Sequence, residues 1–376
     1  MKNFLCLFLF TFQNLVMCMV DERVFKTAEI LVDYSTEVKK GDKVVISFDY
    51  PAKELALQVY KLVLLRGGFP KIKVGVSGFS YVFFKYATDE QLKFFPEEEL
   101  VEAKNYDVFI NIRAPENVKE LMGVDAKKIG LFSKTRKPIR DEIIDKKRWV
   151  LFYYPTNALA QEAGMPFEEF YEFVFNATLI NWREFSKKMH KIKELVDKTD
   201  KVRIKGYKTD LEFSVKGRNA VVADGKYNMP DGEVFTSVVE DSTNGEIYYE
   251  FPAIWVGNEV EGISLRFEDG KVVEAKAEKN EEFLLKILEV DEGAKRIGEF
   301  GIGLNYNINK FVKNILFDEK IGGTIHLALG QSYKETLGKN ESAIHWDMIK
   351  ELRRDGEIYF DGELVFKNGK WFVLEE

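Results

Sequence analysis

The chain has 376 residues, with 55 Lys and Arg against 62 Asp and Glu and a formal net charge of -7 at pH 7. That balance excludes the general electrostatic footprint of a nucleic-acid-binding protein, and the length suits two domains with sizeable cores. Charged residues make up 31% of the chain; abundant Lys and Glu with scarce Gln resemble the bias of proteins from hot environments.

Residues 1–18, MKNFLCLFLFTFQNLVMC, are apolar and aromatic and hold both cysteines, Cys6 and Cys18. A basic start before an apolar run is the pattern of a secretory signal. No A-x-A cleavage pattern follows, however, and as a membrane span the run is short and interrupted by Gln13 and Asn14. The cysteine-free remainder needs no oxidising compartment. The expectation is that Met19 is the true start, that residues 1–18 over-extend the reading frame, and that the protein is cytoplasmic with no membrane partner. A genuine leader, with export or membrane anchoring, is the alternative.

From there the chain reads as α/β. FKTAEILVDYSTEVKK is a predicted helix stopped at Gly41, DKVVISF a strand, and AKELALQVYKLVLLRGG an amphipathic helix ending at Gly67 and Gly68. KIKVGVS, YDVFINI and WVLFYYP are further short strands rich in Val, Ile and aromatics. Strands alternating with helices predict a mostly parallel sheet covered on both faces. Such a sheet can serve a nucleotide, but neither G-x-G-x-x-G nor G-x-x-x-x-G-K-[ST] occurs. Residues 166–200 read as a helical stretch broken once, in which His190 is a solvated residue among lysines and the aromatic stripe is core. The composition then changes. KVRIKGYKTDLEFSVKGR alternates like a hairpin, and GEIYFDGELVFKNGKWFVLEE is a strand pair turning at Asn368-Gly369. The boundary is placed near Asp200, giving an N-terminal α/β domain over 19–200 and a C-terminal strand-rich α+β metal-binding domain over 201–376.

The chemistry concentrates in that second half. Of three histidines in the chain, His326 lies in GGTIHLALG and His345 in ESAIHWDMI, two residues before Asp347. Imidazole and carboxylate are the usual ligands of a divalent metal that activates water. Residues at i and i+2 point the same way only on extended backbone, so His345 and Asp347 on a strand can reach one metal or two adjacent ones. H-x-D alone is more often a surface histidine beside an unrelated aspartate. His326 changes the balance, because a histidine between Ile325 and Leu327 must be hydrogen-bonded or ligated. Two more carboxylates are candidates. Glu233 stands between a Pro/Gly turn and a β-rich run, where an exposed glutamate is the commoner outcome. Glu299 lies in GAKRIGEFGIGLN between apolar residues and glycines, a sign of close backbone packing around an acid, with an exposed glutamate near a turn as the equal alternative.

Taken together, ADGKYNMPDGEVFTSVVEDSTNGEIYYEFPA, DEGAKRIGEFGIGLN, DEKIGGTIHLALGQSY and NESAIHWDMI resemble, in content and order, the thermophilic aminopeptidase family, which is made up of dinuclear metallopeptidases. LVDYSTEVKKGDKVVI is similar to the family's N-terminal pattern, so the resemblance covers nearly all the chain after Met19. It implies metal ligands at Glu233, Glu299, His326, His345 and Asp347, with Glu299 bridging two divalent ions (Zn, Co, Mn or Mg), and an active-site phenol at Tyr333. It also implies a homodimer. The stretch between Tyr333 and His345 is short against some relatives. The resulting expectation is a metal-dependent aminopeptidase that hydrolyses the N-terminal peptide bond of substrates with a free N-terminus, through a metal-bound water. A related metallohydrolase of another amide and a non-catalytic peptide-binding protein are the rivals.

Overall fold

The computed structural model describes residues 21–375, so the expectations about residues 1–18 and a start at Met19 lie outside it. The chain divides into two units, one holding residues 21–115 and 126–154, the other 116–125 and 155–375. The helices Phe167–Thr178 and Trp182–Val196 therefore fall in the second unit, ahead of the boundary near Asp200 suggested by the change of composition. Among the described residues no helix is long and apolar enough to cross a membrane.

The first unit is the expected parallel α/β layer. Its strands run in the order Phe69–Gly75, Lys43–Asp49, Val108–Arg113, Arg148–Tyr153, each pair parallel. Helices cover the faces of a parallel sheet, so its inner strands read as continuous apolar runs rather than as alternation. Val44, Val45 and Ile46 are all buried, as are Val108, Phe109 and Ile110. The first predicted helix is shorter than the sequence suggested. It runs over Glu22–Glu29, widens into a π-helical turn over Ile30–Ser35 and stops there. The reason is local: the Thr36 hydroxyl donates to the Leu31 carbonyl at 2.7 Å and competes with the helical ladder.

The second unit is built mainly from two large antiparallel sheets, with a two-stranded pair, Ala253–Trp255 and Asn258–Val260, in addition. The larger orders its strands Lys271–Lys276, Ile263–Glu268, Asn244–Tyr249, Thr209–Ser214, Lys201–Gly206, Glu357–Phe360, Glu363–Lys367, Lys370–Trp371. The predicted hairpin at 201–214 is present. The C-terminal segment forms three strands rather than the expected pair, because Asp361-Gly362 turns the chain as well as Asn368-Gly369, all four residues at positive φ. The smaller sheet orders its strands His345–Glu351, Thr324–Gly330, Ile297–Gly303, Glu233–Thr236, Val221–Ala223.

The two sheets share one core. Phe300, Ile302, Leu327, Leu329, Trp346 and Met348 of the smaller sheet pack with Ile204, Phe213, Ile247 and Leu265 of the larger. Phe213 and Phe300 meet edge to face with centroids 5.2 Å apart. Successive side chains on a strand point to opposite faces, so burying this set turns every intervening residue of the smaller sheet to its other face.

Candidate metal centre

That other face carries all five predicted ligands. The antiparallel register pairs Glu233 with Gly303, Glu299 with Ala328, Ala328 with Asp347, Gly301 with His326, and Gly330 with His345. Paired residues on antiparallel strands project to the same side. The face thus alternates long ligating side chains with Gly301, Gly303, Ala328 and Gly330, whose small size leaves a trough. Gly301 shows how tight the fit is: a Cβ there would lie 2.0 Å from both Cε1 and Nε2 of His326.

Within the trough the groups converge. His326 Nε2 lies 3.3 Å from Glu233 Oε2 and 3.4 Å from Glu299 Oε1. His345 Nε2 lies 3.2 Å from Glu299 Oε2 and 3.4 Å from Asp347 Oδ1. The two oxygens of Glu299 therefore face different imidazoles. Three sets of donor atoms each fall within 4.8 Å of one another: Glu233, Glu299 and His326; Glu299, His345 and Asp347; and Glu319, His326 and Asp347. Depth falls from one end to the other. His326 is 1% exposed, the His345 side chain 23%, and Tyr333 40% at the rim. The Tyr333 hydroxyl is 3.5 Å from His345 Nε2, and its ring meets Phe235 edge-on at 5.4 Å.

The hydrogen-bonding state of these groups fits a metal. Glu233 Oε2, His326 Nδ1 and Asp347 Oδ1 are buried and make no hydrogen bond, although native proteins satisfy nearly all such atoms. Nitrogen and carboxylate oxygen together suit Zn, Mn or Co. His345 Nδ1 donates to the Gln331 carbonyl at 2.8 Å, which fixes the tautomer and leaves Nε2 as the atom that could bind a metal. The electrostatics agree. Burial works against a charged His326, yet the carboxylates of Glu299 and Glu233 outweigh it and raise its pKa to about 9. Asp347 and Glu299 likewise overcome burial at His345 and raise it to about 12. Burial pushes Glu233 well above the usual carboxylate range. The cluster, in short, calls for additional positive charge.

Three residues of the site were not anticipated. Glu319 completes the third donor set, and the buried Lys320 contacts Glu233, Glu319 and Asp231. All lie off the strands, so alternation could not point to them. Glu319 and Lys320 stood within the quoted motif DEKIGGTIH, but nothing in its spacing marked them. His190, as expected, is an exposed helix residue whose Nδ1 contacts the Ser186 carbonyl.

Comparison with known proteins decides the family, because the family model described as thermophilic metalloprotease (M29) matches residues 20–371. The chain belongs to the thermophilic metalloprotease (M29) family. The enzyme class expected from the motifs, a metallo-aminopeptidase, is borne out by that match together with relatives that are aminopeptidases. Among relatives, Aminopeptidase 2 of Geobacillus stearothermophilus is 27% identical over 410 residues, spanning 93% of this chain and 98% of its own. Aminopeptidase T of Thermus thermophilus is 30% identical over 307 residues, 68% of this chain and 74% of that one. The solved structure of wild-type AmpT from Thermus thermophilus has the same fold, with a TM-score of 0.82 at 24% identity over 93% of this chain and 99% of that one.

Proposed function

We propose that this peptidase removes N-terminal residues from peptides with a free α-amine, using two divalent cations. Glu233 and His326 would hold one, His345 and Asp347 the other, and Glu299 would bridge them. The observation that carries this reading is the carboxylate of Glu299, whose Oε1 faces His326 at 3.4 Å while its Oε2 faces His345 at 3.2 Å. One carboxylate spanning two imidazoles, each with a further acid beside it, is a donor arrangement that suits a pair of ions. Bound there, the cations would supply a nucleophile at neutral pH and polarise the scissile carbonyl.

The chain's own residues do the rest. Tyr333 stands at the open rim with its hydroxyl beside His345. Partial burial and the surrounding carboxylates raise its pKa, so the phenol stays protonated at neutral pH and can donate a hydrogen bond to the oxyanion of the tetrahedral intermediate. Phe235 and Tyr333 form an aromatic wall over the exposed end, where a substrate side chain can rest. The names of the relatives, all aminopeptidases, support the choice of a free amino terminus. The motif resemblance also supports a homodimer, which light scattering on purified protein tests, and the cysteine-free sequence after residue 18 supports a cytoplasmic location.

The deciding experiment measures metal content and then assays matched free and N-acetylated peptides. Two ions per chain and cleavage of the free peptides alone is the expected result. One ion per chain would refute the bridged pair, and equal cleavage of the acetylated peptides would refute the aminopeptidase reading.

A further inference from the structure

The deepest cation of the site belongs to the chain itself. Lys320 follows the short helix Ile315–Asp318, and its side chain is 0% exposed. The ammonium lies 3.4 Å from Glu233 Oε1 and 3.7 Å from Asp231 Oδ1, and it also donates to Glu319. Taking an ammonium out of water costs several kcal/mol unless partners surround it, and here three carboxylates do. Asp231 is itself anchored. Its carboxylate accepts from the N–H groups of Gly232 at 3.0 Å and Gly225 at 3.1 Å, and its backbone carbonyl accepts from Asn305 at 2.9 Å. The ammonium is thus fixed against a rigid loop and reaches from there to Glu233.

The consequence lies in the two oxygens of Glu233. Oε1 meets Lys320, while Oε2 has no hydrogen-bond partner and stands 3.3 Å from His326 Nε2. We infer that Lys320 is a positioning residue of the metal site: it holds Glu233 through Oε1 so that Oε2 alone faces the cation shared with His326. The inference rests on the metal-dependent reading above. A neutral donor would supply a hydrogen bond but would leave Asp231, Glu233 and Glu319 with one buried positive charge fewer. A surface lysine could not reach this depth. A lysine rising from within the fold meets both needs, and it leaves the exposed end at His345 and Tyr333 clear for substrate.

The test titrates metal-free, full-length protein with Co²⁺, following heat and the visible absorption of the bound ion. It compares wild type, Lys320→Met, and the double variant Lys320→Met with Asp231→Asn. The double variant removes one positive and one negative charge, so it keeps the charge balance of the floor yet takes the donor from Glu233. It also guards against misfolding of the single variant, and thermal melts establish that each protein is folded at the titration temperature. The expected result in both variants is one Co²⁺ bound about 10- to 100-fold more weakly, as losing the partner of a metal ligand typically causes, with an altered spectrum and the other ion within about threefold of wild type. A purely structural lysine would lower the melting temperature and leave the affinities of folded protein unchanged, which would overturn the inference. Tighter binding of both ions would overturn it too, since Lys320 would then act only by repulsion. If wild type takes up a single ion, the paired-metal reading fails, and the affinity of that ion in the variants still decides the role of Lys320.

Discussion

Gly301→Ala is the substitution that most directly probes how the trough is built. The new Cβ would lie 2.0 Å from Cε1 and Nε2 of His326, so that separation must open by roughly 1.4 Å to reach ordinary contact. Gly301 is not at positive φ, so alanine brings no backbone strain and the whole effect acts through the imidazole. The ring is 1% exposed and cannot swing out to solvent, and overpacking of this kind costs about 1–3 kcal/mol of stability. The functional cost is larger, because a misplacement of about 1 Å in a reacting constellation is worth on the order of 100-fold in rate. The assay is kcat on a free peptide together with bound metal per chain and a thermal melt. Gly130→Ala serves as the control, since nothing lies within 4 Å of a Cβ there. A Gly301→Ala protein with normal metal content and kcat within about threefold of wild type would refute the placement of His326 as a ligand against this strand.

Further outcomes follow from the same geometry. Glu299→Gln should abolish activity and lower bound metal, because an amide loses both the charge and the two-sided reach toward His326 and His345; full activity at normal metal content removes the bridge. Tyr333→Phe should lower kcat by about 100- to 1,000-fold, the effect of losing one oxyanion donor, with metal content measured alongside and expected to be unchanged. In metal-free protein, His326 and His345 have pKa values raised to about 9 and about 12, above the ordinary imidazole value near 6.5. Their stabilising contribution is fully present below that ordinary value and is lost as pH rises through the raised ones. The melting temperature of metal-free protein should therefore fall from about pH 7 to 10, while metal affinity, which needs the neutral imidazoles, strengthens over the same window; melts and titrations at stepped pH check both signs. Chelation at pH 7 should lower the melting temperature of the loaded enzyme, because ions that bind only the folded state stabilise it by mass action, and adding Zn²⁺ or Mn²⁺ back should restore it.

Much of the candidate site could be read along the chain because its candidate ligands sit on strands. His345 and Asp347 are two apart on extended backbone and share a face for that reason alone. His326 in an apolar run had to be ligated or bonded, and it is buried among carboxylates. Glu233 is the instructive failure of residue-by-residue reading. Taken singly it resembled an exposed glutamate beside a turn, yet it is buried, because pairing with Gly303 carries it into the trough. In the N-terminal half, short runs rich in Val, Ile and aromatics located the four strands of the first unit, and the sequence pattern missed the early end of the first helix because a single Thr36 side-chain bond decides it.

By itself, then, the sequence determined the parallel α/β layer and the strand-rich second half, while the five candidate ligands came from the motif resemblance. The layer and the strands depend on local quantities: the two-residue repeat of a strand, apolar runs, and residue types that suit only certain partners. Tertiary structure alone decided that Glu299 lies between two imidazoles, that Glu319 joins the donors, and that Lys320 supplies an internal cation. Those facts depend on register between strands far apart in the chain and on loops with no periodicity, where position is set by the packing of the two sheets.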